Sequence, residues 1–143
     1  MPDAFYHGTD HVTAQRVSSR TSAIDVARGG GEFGRGFYVG DSPVLALQFA
    51  IGRFGVTNAR ALRFIITQES YSALETKYLA EKDAKKLRQR VRRARATRSH
   101  LVGVDVVCGP IEGRAQNLQS KFETERSQAV LNDPACTTIE LVR

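Results

Sequence analysis

The sequence predicts a single α+β domain over residues 1–143, with a largely antiparallel sheet and flanking helices. Three observations carry this expectation. Short β-branched or aromatic runs recur along the chain; helix starts with recognisable caps lie in its first two-thirds; and the C-terminal strand-like runs follow one another directly, in hairpin order and not as a βαβ series.

Ala4 to Gly8 is apolar and aromatic enough for a strand, and Asp10 then caps a short helix through about Ser18. Arg28 to Gly34, "RGGGEFG", reads as a loop, because three consecutive glycines open positive φ and remove side chains near whatever the backbone approaches. "FYVG" is a short strand. Ser42 followed by Pro43 is a hydroxyl cap with an N1 proline, opening a helix to about Arg53 with Gly55 beyond it. In Ala61 to Thr67, Leu62, Phe64 and Ile66 alternate at strand spacing. Ala80, Ala84, Leu87, Val91 and Ala94 recur at helical spacing inside a helix predicted from about Tyr71 to Arg98. "LVGVDVVCG", Leu101 to Gly109, is a central strand closed by Gly109-Pro110. Ser127 to Asn132 and Thr137 to Val142 are two further strands joined by a turn at Asp133-Pro134.

At 143 residues the chain is long enough for a real core, and 41% hydrophobic with 25% charged residues is ordinary for a globular protein. No apolar run approaches the roughly 18 residues needed to span a bilayer. The N-terminal "MPDAFYHGTD" lacks the basic start and apolar stretch of a signal peptide, which reads as a cytoplasmic protein, in its own cell or in a target cell after delivery. Cys108 and Cys136 stand in apolar contexts without CxxC or His/Cys clustering, so they read as buried free thiols and no metal is expected. The net charge of +6 is concentrated: Glu81 to Arg98 carries nine Lys/Arg against two acids. Such a block is either a polyanion footprint, with Lys85, Arg88, Arg92, Arg93 and Arg95 as its contacts, or a solvated helix face.

"GRGFYVG" is neither GxxxxGK[ST] nor a GxGxxG that follows a strand and opens a helix. Its glycines precede an aromatic pair, so bare backbone lies beside Tyr38 while Phe49 rises from the next helix. Two aromatics on neighbouring elements can sandwich a planar ligand, each stack contributing about 1 kcal/mol beyond area burial. Phe37 reads as core. His7, at a strand end before Gly8 and Thr9, completes the constellation.

"FYHGTD" followed by "GRGFYVGDSPVLALQFA" resembles the first two motifs of the ADP-ribosyltransferase superfamily, in its diphtheria-toxin and poly(ADP-ribose)-polymerase-like H-Y-E branch. Within it the chain looks like small bacterial toxin-type transferases, in which "YHGT", "FGxGFY" and a later "DVVxGP" occur in this order. The resemblance is anchored in about thirty residues. It implies the family's fold, a split, mostly antiparallel sheet with an NAD cleft, and NAD as co-substrate. His7 would bond the adenosine-side ribose, the Gly8 backbone would clamp the nicotinamide carboxamide, and Thr9 would sit beside the adenosine ribose. Gly34 and Gly36 would shape the pocket, Tyr38 would stack on nicotinamide, and Phe49 would stand where the family has a second stacking tyrosine. Ala46 falls where related polymerases carry a serine.

The third signature residue departs from the family's late-strand Glu. On "ERSQAVLND" the aligned residue is Gln128, with Glu125, from the ExE pair Glu123 and Glu125, as the second choice. A glutamine orients by hydrogen bonds but takes no proton at neutral pH, which points to single transfer and away from chain elongation. The resemblance thus implies a mono-ADP-ribosyltransferase, a bacterial toxin or defence effector, and the basic segment Glu81 to Arg98 points to RNA first and DNA second as its acceptor. A protein target with an acidic antitoxin or immunity protein as partner, an NAD-dependent RNA 2′-phosphotransferase, and a degenerate NAD or ADP-ribose binder are the alternatives.

Overall fold

A computed structural model describes residues 4–142. The elements, in chain order, are β1 (Phe5–Asp10), α1 (His11–Ser18), β2 (Gly30–Gly31), β3 (Gly34–Arg35), β4 (Phe37–Gly40), α2 (Pro43–Phe54), β5 (Ala59–Ile66), α3 (Gln68–Ser72), β6 (Thr76–Tyr78), α4 (Glu81–Arg93), β7 (Val106–Ile111), β8 (Arg114–Phe122), α5 (Glu125–Asn132) and β9 (Thr137–Leu141). Seven strands form one mixed sheet in the order β6-β7-β8-β4-β1-β5-β9, antiparallel except for β6 against β7, while β2 and β3 make a separate small hairpin. Among the described residues no helix is long and apolar enough to cross a membrane.

The predicted caps form. Asp10 accepts from Thr13 N–H and Ser42 from Leu45 N–H, starting α1 and α2 at the expected residues. The single helix expected from Tyr71 to Arg98 is instead α3, β6 and α4. Thr67 caps α3 by accepting from Ser70 N–H, and the chain then extends, with Asp105 Oδ2 accepting from Glu75 N–H at 2.8 Å. The strand drawn to Gly109 starts later and runs through Pro110 to Ile111, its register slipping at the proline, which has no N–H to give the ladder. After the two-residue turn Glu112-Gly113, with Gly113 at φ 75°, the chain returns as β8, a strand the sequence reading left unassigned.

The largest correction concerns Ser127 to Asn132, which is helix and not strand. Thr124 and Ser127 form a reciprocal capping box, and Ser127 and Leu131, four residues apart, are buried together on one helical face. The C-terminal hairpin of the sheet is therefore β7–β8, and β9 adds to the opposite edge against β5.

Cross-strand partners share a face. Phe5, Phe64, Val39 and Phe122 lie on one, in a core with Val17, Tyr71 and Leu131 of the helices. The other face carries Tyr38 and Gln119 and is covered in two pieces. Ala84, Leu87 and Val91 of α4 pack with Phe33 and Val107, and α2 packs over β1 and β5.

A candidate ligand cleft where the sheet splits

Between α2 and the β2–β3 hairpin the sheet opens. β1 and β4 are registered only at Tyr6↔Gly40, although β4 stays fully paired with β8 through Phe37↔Phe122 to Gly40↔Gln119. The next bond of the β1–β4 ladder would join Gly8 to Tyr38; the Tyr38 carbonyl instead accepts from His7 Nδ1 at 2.6 Å. A carbonyl only accepts, so Nδ1 carries the proton and Nε2 keeps its lone pair. Burial draws the His7 imidazole below its ordinary pKa, the Tyr38 bond opposes this, and the Arg53 charge adds to the lowering. The ring stacks on Phe37 at 4.4 Å and 30° between planes.

Gly8 contributes backbone. Val142 N–H donates to the Ala61 carbonyl at 2.9 Å, so the Ala61 peptide groups face β9. Ala61 stands opposite Gly8, which makes theirs a non-hydrogen-bonded pair and turns the Gly8 N–H and C=O toward the gap left by β4. Glycine is required there for a second reason. A Cβ on Gly8 would lie 2.0 Å from the Ala46 carbonyl oxygen, because α2 presses directly on β1.

Tyr38 is fixed by the hairpin. Its hydroxyl donates to the Gly34 carbonyl at 2.6 Å and accepts from Phe33 N–H at 2.9 Å, and burial pushes its pKa well above the ordinary tyrosine value. Gly31 passes over the hydroxyl end of the ring, where a Cβ would sit 2.8 Å from Cζ. Gly34, at φ 95°, is the turn residue that holds Tyr38 and lines neither cavity.

Two cavities meet at His7, Gly8, Tyr38 and Phe49. The larger, about 940 Å³, extends past Thr9, Gly36 and the 22–31 loop and is rimmed by Arg28, Arg53 and Arg98. The second, about 490 Å³, runs along α2 past Ala46 to Gln119, Ile111 and Arg114. Both fall in the size range of small-molecule sites. Phe49 stands 63% exposed on α2 with its ring free for a ligand.

The structure thus brings His7, Gly8, Thr9, Gly36, Tyr38 and Phe49 to one cleft; it does not bring Gln128 or Glu125 there. Gln128 lies on α5 and its Oε1 accepts from Val26 N–H at 2.9 Å, anchoring the loop behind the larger cavity. Glu125 is exposed in the first turn of α5. Glu123 is buried, accepting from Val102 and Gly103 N–H at 2.8 Å each and pairing with Lys121 at 2.6 Å. The residue in the cleft that the sequence reading missed is Gln119 of β8, whose buried Nε2 has no hydrogen-bond partner among the described residues.

The basic segment divides. Arg88 is buried, donating to Glu32 at 2.5 Å and to the Pro110 carbonyl at 2.6 Å, so it is a packing residue and not a polyanion contact. Arg92 pairs with Glu112 at the surface. Lys85, Arg93 and Arg95 are exposed, and Arg95 turns the chain out of α4 at φ 51°. Cys108 is buried and Cys136 half-buried, both free, and among the described residues no three His, Cys, Asp or Glu side chains cluster as metal ligands.

No family model matches the chain, and a search of curated proteins returns no significant match.

Proposed function

We propose that the chain is an NAD-dependent mono-ADP-ribosyltransferase built on an ADP-ribosyltransferase-like fold, acting on a macromolecule, with RNA as the first choice. The observation that carries this reading is the split between β1 and β4. It sets a neutral imidazole with a free Nε2, unpaired Gly8 backbone groups, the Tyr38 ring and the open Phe49 ring around one continuous cleft. Those groups suit a dinucleotide. Nε2 accepts from a ribose hydroxyl, the Gly8 N–H and C=O match the two ends of a carboxamide, and the aromatic pair holds a flat ring. Arg53 and Arg98 supply positive charge for a diphosphate in the larger cavity, where Arg28 is paired with Asp25. Thr9 and Gly36 fall on that side of the cleft.

Glycosidic cleavage at the nicotinamide ribose needs little covalent assistance: a bent, fixed substrate and an acceptor held at the anomeric carbon do most of the work. On this reading Gln119 takes the third position, its Oε1 accepting from a ribose hydroxyl to orient the ribose without acting as a base. The test is nicotinamide release and NAD binding by titration. Phe49→Ala, a change on an exposed ring, is expected to weaken NAD binding about tenfold with no change in melting temperature. His7→Ala and Tyr38→Ala are expected to abolish nicotinamide release. An unchanged NAD affinity in all three variants would sink the proposal.

RNA 2′-phosphotransfer remains a second reading, favoured by the arginines at the larger cavity. It is separated by the product, since 2′-phosphotransfer strips a phosphate from RNA and ADP-ribosylation leaves label in the acceptor.

A further inference from the structure

We infer, resting on the transferase reading above, that the outer end of the second cavity, lined by Gln119 and Arg114, takes a terminal phosphate monoester of a nucleic acid as the acceptor. Three observations point there. The first is that the cleft holds no spare carboxylate. The acidic residues among those lining the two cavities are Asp25 and Glu32. Asp25 pairs with Arg28 at 3.3 Å, and Glu32 accepts from Arg88 Nε and from Glu112 N–H. His7 keeps a lone pair, but on this reading a ribose hydroxyl takes it. A hydroxyl or guanidinium acceptor therefore lacks a base to deprotonate it, whereas a phosphate monoester, with its second pKa near 6, is already a nucleophile at neutral pH.

The second observation is the donor set. Gln119 Nε2 is a buried N–H donor with no partner, in a molecule where buried donors are as a rule satisfied. Arg114, exposed on the same cavity, forms no ion pair with a described carboxylate. Together they ask for an anionic oxygen. The third is the flank. Arg92 pairs with Glu112 beside Ile111 and Arg114, so α4, whose exposed cations include Lys85 and Arg93, passes close to this end of the cavity. A phosphodiester chain leading away from the bound terminus would follow them.

The step balances without a proton. A phosphate oxygen bonds to the anomeric carbon as the C–N bond breaks, the bonding pair stays on the nicotinamide nitrogen and discharges the pyridinium, and the phosphodiester formed keeps one negative charge.

The test uses the full chain, labelled NAD and one short RNA in three forms, with a 5′-phosphate, with a 3′-phosphate, and with hydroxyls at both ends, beside a phosphopeptide. Label is expected in a phosphate-ended RNA, with that phosphate now resistant to phosphatase. Arg114→Ala should cut labelling at least about tenfold at an unchanged melting temperature. Gln119→Glu, which sets a carboxylate against the phosphate, should suppress it. Equal labelling of the hydroxyl-ended RNA, preferential labelling of the phosphopeptide, or full labelling by Gln119→Glu overturns the inference. Nicotinamide release with no label in any RNA overturns it too, while leaving the transferase reading in place; no nicotinamide release in any mixture sinks that reading itself.

Discussion

Strand β4 has a different neighbour on each edge, and the two seams are built on opposite principles. Against β8 it is fully registered, and beneath that seam Lys121 lies completely buried, bonded to Glu123 at 2.6 Å and to the Arg35 carbonyl at 2.9 Å. Against β1 it is registered once, the lost ladder bond is replaced by the His7 side chain, and the freed backbone faces a cavity. Backbone satisfaction is thus kept by a closed ladder on one side and by a side chain on the other. Only the second arrangement leaves room and unpaired groups for a ligand.

The closed seam should break most expensively. Lys121→Met leaves Glu123 a buried carboxylate without its cation, at a cost of about 3–5 kcal/mol. In a chain of this size that is a drop of roughly 10 °C in melting temperature, read by circular dichroism. Adding Glu123→Gln should recover part of the loss. A single variant that melts with the wild type would mean that the buried pair does not hold this seam.

The open seam should be less costly in stability and more so in binding. In Gly8→Ala the new methyl meets the Ala46 carbonyl, so α2 must move. Overpacking of this kind costs about 1–3 kcal/mol. Because α2 carries Phe49, NAD affinity is expected to fall further than in Phe49→Ala, measured by calorimetric titration. Retention of both wild-type stability and affinity would remove the close approach of α2 as the reason for a glycine.

Two glutamines extend the contrast. Gln128→Ala strands the Val26 N–H and should cost about 1–3 kcal/mol. Gln119→Ala removes an amide nitrogen with no partner, so it should shift stability by no more than about 0.5 kcal/mol while abolishing transfer. Chemical denaturation and nicotinamide release, run on both variants, check the pair; the reverse pattern would return the third position to α5.

Why the sequence pointed to Gln128 and passed over Gln119 has a physical basis. The capped helices and the aromatic strands β1, β4 and β5 announce themselves through local signals, a hydroxyl or carboxylate before an apolar run and period-2 alternation, and the structure has them close to the expected residues. β8 has no such alternation. "RAQNLQSKF" shows polar groups on both faces because one face lines a cleft and hides a buried lysine, functions that cancel the pattern a core strand displays. Its one local sign was the Glu112-Gly113 turn after the β-branched run of β7, which a hairpin requires. "SQAVLN" failed in the other direction. Six residues of mixed apolar character fit either period, and the deciding feature was Thr124 with Ser127 three residues on. The split of the sheet was expected from the resemblance, but the position of Gly8's free peptide groups follows only from the register of β1, β5 and β9.

The smallest effect expected is the pH dependence of the open seam. The folded-state pKa of His7 lies below its ordinary value, so as pH falls the unfolded chain takes up the proton first. The stability His7 contributes is therefore complete above the ordinary histidine value of about 6.5 and declines as the pH drops through that value toward the lowered one. His7→Asn keeps an N–H donor within the side chain and cannot titrate. The denaturation midpoints of wild type and variant should differ by a constant amount above about pH 6.5, and the difference should shift against the wild type below it. NAD affinity should hold through most of that range and fall only as the pH reaches the lowered value, where the folded chain itself takes the proton and loses the Nε2 lone pair that a ribose hydroxyl needs. A wild-type affinity that rises on acidification would show that the cleft binds through the imidazolium, and the side chain bridging the open seam would then be a cation facing Arg53, which the observed burial disfavours.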